Sequence, residues 1–241
     1  VISGLKVTDY ALQSDGSGVA GTGSSCDYYS GFIGWNKKNL TINNLSFENA
    51  EVDINPLSKE STGSSILAVV VANNTGSLIY NDVTVTGSIV RGYTKVGILH
   101  GFTQGAGSFV ANHCSIENSE VVLEADGTDP EAAFSGLIIG YDGNNRAKTN
   151  GIKLSGNTVS IDESVNWGNT PITSENGVTK AGSYGLTCDT YTHGSAGTNK
   201  VELVAQVGDY QYETLSDAIT AASSGDTVTL LEDTDESESV T

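Results

Sequence analysis

Apolar and polar residues alternate along much of the chain, and one alternating segment recurs. Asn43-Asn44-Leu45-Ser46-Phe47-Glu48-Asn49-Ala50-Glu51-Val52 aligns without gaps on Asn81-Asp82-Val83-Thr84-Val85-Thr86-Gly87-Ser88-Ile89-Val90. It aligns again on Asn112-His113-Cys114-Ser115-Ile116-Glu117-Asn118-Ser119-Glu120-Val121, and a fourth copy is read from Asn157-Thr158-Val159-Ser160-Ile161. The pattern is Asn-x-apolar-polar-apolar-x-x-small-x-apolar, with the Asn anchors 38, 31 and 45 residues apart. A two-residue period is that of a strand with one buried face, whereas an amphipathic helix spaces its apolar residues by three and four.

A second motif lies between these copies. It reads Gly31-Phe32-Ile33-Gly34-Trp35, Gly97-Ile98-Leu99-His100-Gly101-Phe102, Gly136-Leu137-Ile138-Ile139-Gly140-Tyr141 and Gly182-Ser183-Tyr184-Gly185. Ser65-Ile66-Leu67-Ala68-Val69-Val70-Val71 takes the same slot without glycines. Each is a short apolar run fit for a buried strand, and its glycines permit a sharp bend or the close approach of another backbone. Each repeat then carries three strands, and the variation in repeat length sits in loops such as 55–64 and 124–133. This order predicts an all-β, right-handed parallel β-helix, a solenoid whose circuits stack about 4.8 Å apart with like residues in columns. The handedness follows from the general rule for parallel crossovers. A β-sandwich also has many short strands but carries no in-register repeat. In the solenoid Asn43, Asn81, Asn112 and Asn157 form an internal amide ladder, since a buried Asn must be hydrogen-bonded. Cys114 then shares a column with Leu45, Val83 and Val159, as a small buried hydrophobe.

The segment Val96-Gly97-Ile98-Leu99-His100-Gly101, followed by residues 112–121, resembles GLUG-type repeats. Those occur in large bacterial surface proteins and build right-handed β-helices of the pectin-lyase-like kind. The resemblance spans residues 30–190 and implies a cell-surface or secreted adhesin-like module rather than a defined activity.

The chain divides into a β-helix over 1–200 and a strand-helix-strand segment over 201–241. From Val201 on there are ten acidic residues and no Lys or Arg. Residues 201–207 read as a strand, with Gly208-Asp209 as a hairpin turn. Leu215, Ala218, Ile219 and Ala222 share one helix face, with Thr214 or Ser216 as cap and Gly225 as stop. Residues 228–231 read as a strand. The segment resembles the opening that caps the N-terminal end of many pectin-lyase-like β-helices. It is read either as the cap of a following β-helix or as a cover on this one, and in both cases it shields unpaired strand edges.

Composition narrows the function. The 241 residues include 29 Asp+Glu against 11 Lys+Arg, a formal charge of −18. Such a surface repels nucleic acid and anionic lipid headgroups, and no apolar run approaches the ~20 residues of a membrane span. The chain has no Met, even at position 1, which is expected of a processed form or a piece of a larger protein. Cys26, Cys114 and Cys188 are odd in number and far apart, which argues against a zinc ribbon or a disulfide framework.

Chemistry is sparse. Glu48 and Glu117 align in one column with Thr86 between them, roughly 9–10 Å apart, a marginal spacing for an inverting glycosidase pair. Asp82 falls outside that column. His100, His113 and His193 lie at no metal spacing, and no phosphate loop or HExxH motif occurs. No cofactor is expected. Calcium is the one ion considered, at the oxygen-rich turns Asp126-Gly127-Thr128-Asp129 and Asp142-Gly143-Asn144-Asn145. Aromatic residues at strand ends and in loops (Tyr28, Tyr29, Trp35, Tyr93, Tyr141, Trp167, with Tyr184 and Tyr191) offer flat faces on which sugar rings can stack. The expected role is a non-catalytic, extracellular adhesin-like or glycan-binding module that meets a glycan or host surface. The alternative is a polysaccharide lyase or glycoside hydrolase of the pectin-lyase-like fold.

Overall fold

The computed structural model describes residues 1–13, 28–53, 65–92, 95–123, 134–142, 146–161, 166–167, 170–171, 174–175, 178–179 and 203–231. For residues 28–30, 65, 123, 134, 159–161 and the four pairs between 166 and 179, only the backbone is described. A first circuit of chain runs β1 (Ile2–Ser3), β2 (Lys6–Thr8), β3 (Ala11–Gln13), β4 (Tyr28–Ser30) and β5 (Ile33–Asn36). The second repeats it as β6 (Leu40–Asn43), β7 (Ser46–Glu48), β8 (Glu51–Asp53), β9 (Ser65–Leu67) and β10 (Val71–Asn74). The third is β11 (Ser77–Asn81), β12 (Thr84–Thr86), β13 (Ile89–Gly92), β14 (Lys95–Gly97) and β15 (His100–Thr103). In the fourth, the first two strands run on as β16 (Ser108–Glu117), followed by β17 (Glu120–Leu123), β18 (Phe134–Gly136) and β19 (Ile139–Asp142). A fifth begins with β20 (Ala147–Ser155) and β21 (Thr158–Ile161). Each of these strands pairs in parallel and in register with its counterpart in the neighbouring circuit. The protein is thus mostly β, on parallel sheets, with one helix among the described residues.

The Asn anchors explain the register. Ser3, Asn43, Asn81, Asn112 and Asn150 are in-register partners. Asn81 Nδ2 donates to Asn43 Oδ1 at 2.7 Å, Asn112 to Asn81 at 2.7 Å and Asn150 to Asn112 at 2.8 Å. The fourth rung is therefore Asn150, 38 residues after Asn112, and not Asn157. Asn157 stands in the small-residue column, one turn further along the circuit. There the side chain of each member accepts the backbone N–H of the member one circuit earlier: Ser88 Oγ from Ala50, Ser119 Oγ from Ser88 and Asn157 Oδ1 from Ser119. Asn157 Nδ2 donates in turn to the Ile116 carbonyl at 2.8 Å. Cys114 accordingly pairs with Ile152, while Val159 pairs with Val121.

Two further columns bend the chain. Gly4, Asn44, Asp82, His113 and Gly151 have φ of 68°, 50°, 54°, 49° and 78°, and Asp9, Asn49, Gly87, Asn118 and Gly156 have φ of 53°, 55°, 60°, 49° and 63°. The left-handed region is open to Gly and tolerable for Asn and Asp, whose short polar side chains bond locally. The recurrent Asn, Asp and Gly of the repeat thus set two turns in each circuit. Side chains between these turns face inward in columns, such as Leu45, Val83, Cys114 and Ile152, or Phe47, Val85 and Ile116, all at 0% exposure. Each such side chain contributes about 1.5–3 kcal/mol on burial.

The glycine motif solves a different problem. A Cβ on Gly97 would run into the His100 carbonyl oxygen, and one on Gly136 into that of Ile139. A Cβ on Gly101 would lie 2.6 Å from the Ala72 carbonyl oxygen and 2.8 Å from Ile66 Cγ2. Of the two uses open to these glycines, close approach is the one seen: the β14 and β15 family strands pack backbone to backbone across the bend. The copy at Gly182–Gly185 lies outside the described residues.

Two small antiparallel pairs follow, β22 (Asn166–Trp167) with β23 (Thr170–Pro171) and β24 (Ser174–Glu175) with β25 (Val178–Thr179). The C-terminal segment consists of β26 (Ala205–Val207), β27 (Tyr210–Tyr212), α1 (Leu215–Ala221) and β28 (Val228–Leu230). Gly208, at φ 57°, turns the β26–β27 hairpin, and β28 pairs antiparallel with β26. Thr214 caps α1 by accepting the Asp217 N–H, and the helix stops at Ala222 rather than at Gly225. Ala205, Tyr212 and Ala218 form a small buried core of their own. β27 pairs antiparallel with β20, so this segment lies along the edge of the last fused strand. Glu213 seals the contact by accepting the Thr149 N–H and its hydroxyl, the latter at 2.7 Å. No helix among the described residues is long and apolar enough to cross a membrane.

Candidate functional site

The sheet of β5, β10, β15 and β19 carries two columns of opposite character. Asn36, Asn74, Thr103 and Asp142 are in-register partners and all buried. They tie the turn that follows: Asn36 Nδ2 donates to Asn74 Oδ1 at 2.8 Å, Asn74 Nδ2 to the Ser108 carbonyl at 2.9 Å, and Asp142 Oδ2 accepts the Ala147 N–H at 2.7 Å. This polar ladder was not anticipated from the sequence, because its column runs Asn, Asn, Thr, Asp and keeps no single residue type. One position earlier, pointing the other way, stand Trp35, Asn73, Phe102 and Tyr141.

This second column holds two of the sequence-predicted aromatic residues with described side chains. Trp35 is 40% exposed, and no other Phe, Tyr or Trp whose side chain is described is exposed. Its Nε1 donates to Thr75 Oγ1 at 3.3 Å, which fixes the ring plane, and Lys37 Nζ lies 3.8 Å from the ring centroid. Tyr141 is half-buried and stacks on Phe102, with centroids 5.0 Å apart and planes 17° from parallel. Lys95 Nζ stands 5.3 Å from the Phe102 centroid and 5.9 Å from that of Tyr141. Between Trp35 and Phe102, Asn73 is fully buried. Its Nδ2 donates to Gln104 Oε1 at 3.1 Å, and its Oδ1 has no hydrogen-bond partner. A buried polar atom left unpaired costs about 1–3 kcal/mol. Tyr28, Tyr29 and Trp167 have only their backbones described, while Tyr93, Tyr184 and Tyr191 lie outside the described residues.

Among the described residues, the carboxylates that the sequence singled out each have a local partner or a turn role. Glu48 and Glu117 do align through Thr86, two circuits apart. Each is neutralised locally: Lys6 Nζ lies 2.7 Å from Glu48 Oε1, and Lys153 Nζ 3.4 Å from Glu117 Oε1 and 3.4 Å from Asp209 Oδ2. Asp82 occupies a left-handed turn, and Asp53 pairs with Arg91 at 3.2 Å.

The remaining candidates serve the fold. His100 is fully buried; its Nδ1 lies 2.8 Å from the Val71 carbonyl and its Nε2 3.0 Å from Thr103 Oγ1. With Nδ1 carrying the proton, the ring donates to Val71 and accepts from Thr103, so the neutral form satisfies both neighbours. Burial holds its pKa down to about 4. His113 is exposed in its left-handed turn, edge-on to Tyr210 at 5.7 Å. Burial pushes the Cys114 thiol up to about 12, which leaves it without nucleophilic character. Cys26, Cys188, His193 and the Asp126–Asp129 turn lie outside the described residues, and Asp142 is engaged with Ala147. Among the described residues no group of three or more His, Cys, Asp or Glu could hold a metal ion. No family model, no curated protein and no solved structure matches this chain.

Proposed function

We propose that the chain is a right-handed parallel β-helix module of a larger bacterial surface protein, and that it acts by rigid, non-catalytic display of a glycan-binding face. The reading extends the resemblance of residues 96–101 and 112–121 to GLUG-type repeats. The observation that carries it is the in-register pairing of every strand family from circuit to circuit, with hydrogen-bonded columns at the turns and Trp35 presented on an outward column. A right-handed crossover is the rule for parallel strands in one sheet. Such a body changes little on binding, so its ordering cost is met on folding rather than on recognition. The two carboxylates that share a column each have a lysine partner, which favours binding over hydrolysis.

The test combines a glycan array with a reducing-sugar release assay on plant and host polysaccharides. Binding to a defined set of glycans without release is the expected result. Release of reducing ends from any of them would instead make the chain an enzyme of the same architecture.

A further inference from the structure

Among the described residues, the large apolar side chains that are exposed lie at the two extremes of the fold. Val1, Leu5, Leu12 and Trp35 belong to the first circuit, and Leu230 and Leu231 to β28 and the residue after it. The same two places are the edges of the largest sheet, whose order runs from β1 through β6, β11, β16, β20, β27 and β26 to β28. Among the described residues β1 pairs with β6 alone and β28 with β26 alone. An edge strand offers unpaired N–H and C=O groups to another chain, and proteins commonly guard it with charge or proline. β28 has neither: it reads Val228-Thr229-Leu230 and is followed by Leu231.

The two ends differ in charge. Residues 1–13 and 28–38 carry Lys6, Lys37 and Lys38 against Asp9, whereas residues 203–231 carry Asp209, Glu213, Asp217 and Asp226 and no Lys or Arg. Lys6 is paired with Glu48 and Asp209 with Lys153, so the contrast falls chiefly on Lys37 and Lys38 against Asp217 and Asp226. Like ends therefore repel and unlike ends attract. Direction fits as well. β20 is parallel to β1 through the strands between them, and three antiparallel pairings, β20–β27, β27–β26 and β26–β28, set β28 against it. Two copies in the same orientation thus meet antiparallel at these edges, a pairing slightly more stable per residue than the parallel one.

We infer that the chain binds a second copy of itself head to tail, the β28 edge of one protomer adding to the β1 edge of its partner. Leu230, 52% exposed, then covers Leu5, 40% exposed between β1 and β2, and both leave water. The contact uses two different surfaces, so it does not close on itself and builds an open row of copies. It rests on the sheet order and the charges of the two ends, and is independent of the glycan reading above.

Sedimentation velocity over a concentration series tests this. The wild-type mass rises past that of a dimer with concentration, and the association weakens roughly tenfold on going from low salt to about 0.5 M. Leu5→Asp blocks the head and Leu230→Asp the tail, so each variant alone is monomeric. An equimolar mixture of the two forms a dimer and nothing larger, which also shows that both are folded. Lys38→Glu, a change at an exposed side chain, weakens the association severalfold. A wild type that stays monomeric at about 1 mM overturns the inference. So does association that survives Leu230→Asp, which means that like ends pair, and so does association indifferent to Lys38→Glu. A mixture that stays monomeric while both variants melt as the wild type does has the same consequence.

Discussion

Two corners of each circuit are held by opposite means. Where β6, β7 and β8 and their counterparts meet, side chains do the holding: the Asn43–Asn81–Asn112–Asn150 ladder, the Ser88–Ser119–Asn157 column and two left-handed turns. Where β14 meets β15, the holding comes from side chains that are missing, since Gly97, Gly101 and Gly136 let backbones touch. A hydrogen-bonded corner fails by degrees, one rung at a time, because water can replace an exposed partner. A steric corner has no partial state: an added methyl group must displace backbone. The functional candidate Trp35 stands on the sheet beyond the steric corner, whose geometry also brings Lys95 to Phe102 and Tyr141.

The sharpest way to break this contrast is Gly97→Ala. Its Cβ would meet the His100 carbonyl, and the expected cost exceeds about 4 kcal/mol, read as loss of the cooperative transition in urea. A loss under about 1 kcal/mol would place this corner in the same class as the ladder.

His100, just past that corner, gives a pH signature. Its folded pKa of about 4 lies below the ordinary value of 6.5, so its contribution is fully present above pH 6.5 and is lost as pH falls toward 4. The loss is about 3 kcal/mol across that window, and His100→Gln should remove most of it from stability measured against pH. Glu213, at the C-terminal contact, works in the opposite sense. Burial raises its carboxyl above 4.5, so acidification through its folded pKa favours the docked segment. Amide exchange in β27 should therefore slow, relative to the core, as pH falls toward 4.5 after correction for the intrinsic rate.

The ladder comes next in size. Asn112→Ala removes two side-chain hydrogen bonds and strands the amides of Asn81 and Asn150, for about 2 kcal/mol by chemical denaturation. Asn150→Ala, at the exposed last rung, should cost about 1 kcal/mol. Equal losses at the two positions would mean that the rungs do not act in sequence. Trp35→Ala is the mildest, within about 0.5 kcal/mol in stability, since the ring is 40% exposed.

The hydrogen-bonded corner was the legible one. Asn, Asp and Gly in fixed offsets announce ladders and left-handed turns, and three copies aligned without error. The fourth slipped by seven residues because Asn150-Gly151-Ile152-Lys153-Leu154 and Asn157-Thr158-Val159-Ser160-Ile161 both satisfy Asn-x-apolar-polar-apolar. What separates them is the polar bridge that Asn157 makes in place of Ser, which the hydrophobic period does not encode. The first circuit escaped notice because Ser3 replaces Asn at the anchor, although Gly4 and Asp9 already mark its turns. The steric corner was visible as glycines but ambiguous between bend and close approach. Trp35 was one of eight aromatic candidates that sequence could not rank, because exposure and the Lys37 contact arise only on folding.

The central claim is that successive circuits stack in parallel register, and cross-strand NOEs in an isotope-labelled sample test it without any substitution. The account predicts Hα-to-amide contacts linking Ile42 to Tyr80 to Ala111 to Thr149, with Asn150 beside Asn112. Close Hα–Hα contacts of antiparallel pairing among these strands, or Asn157 beside Asn112, would contradict it.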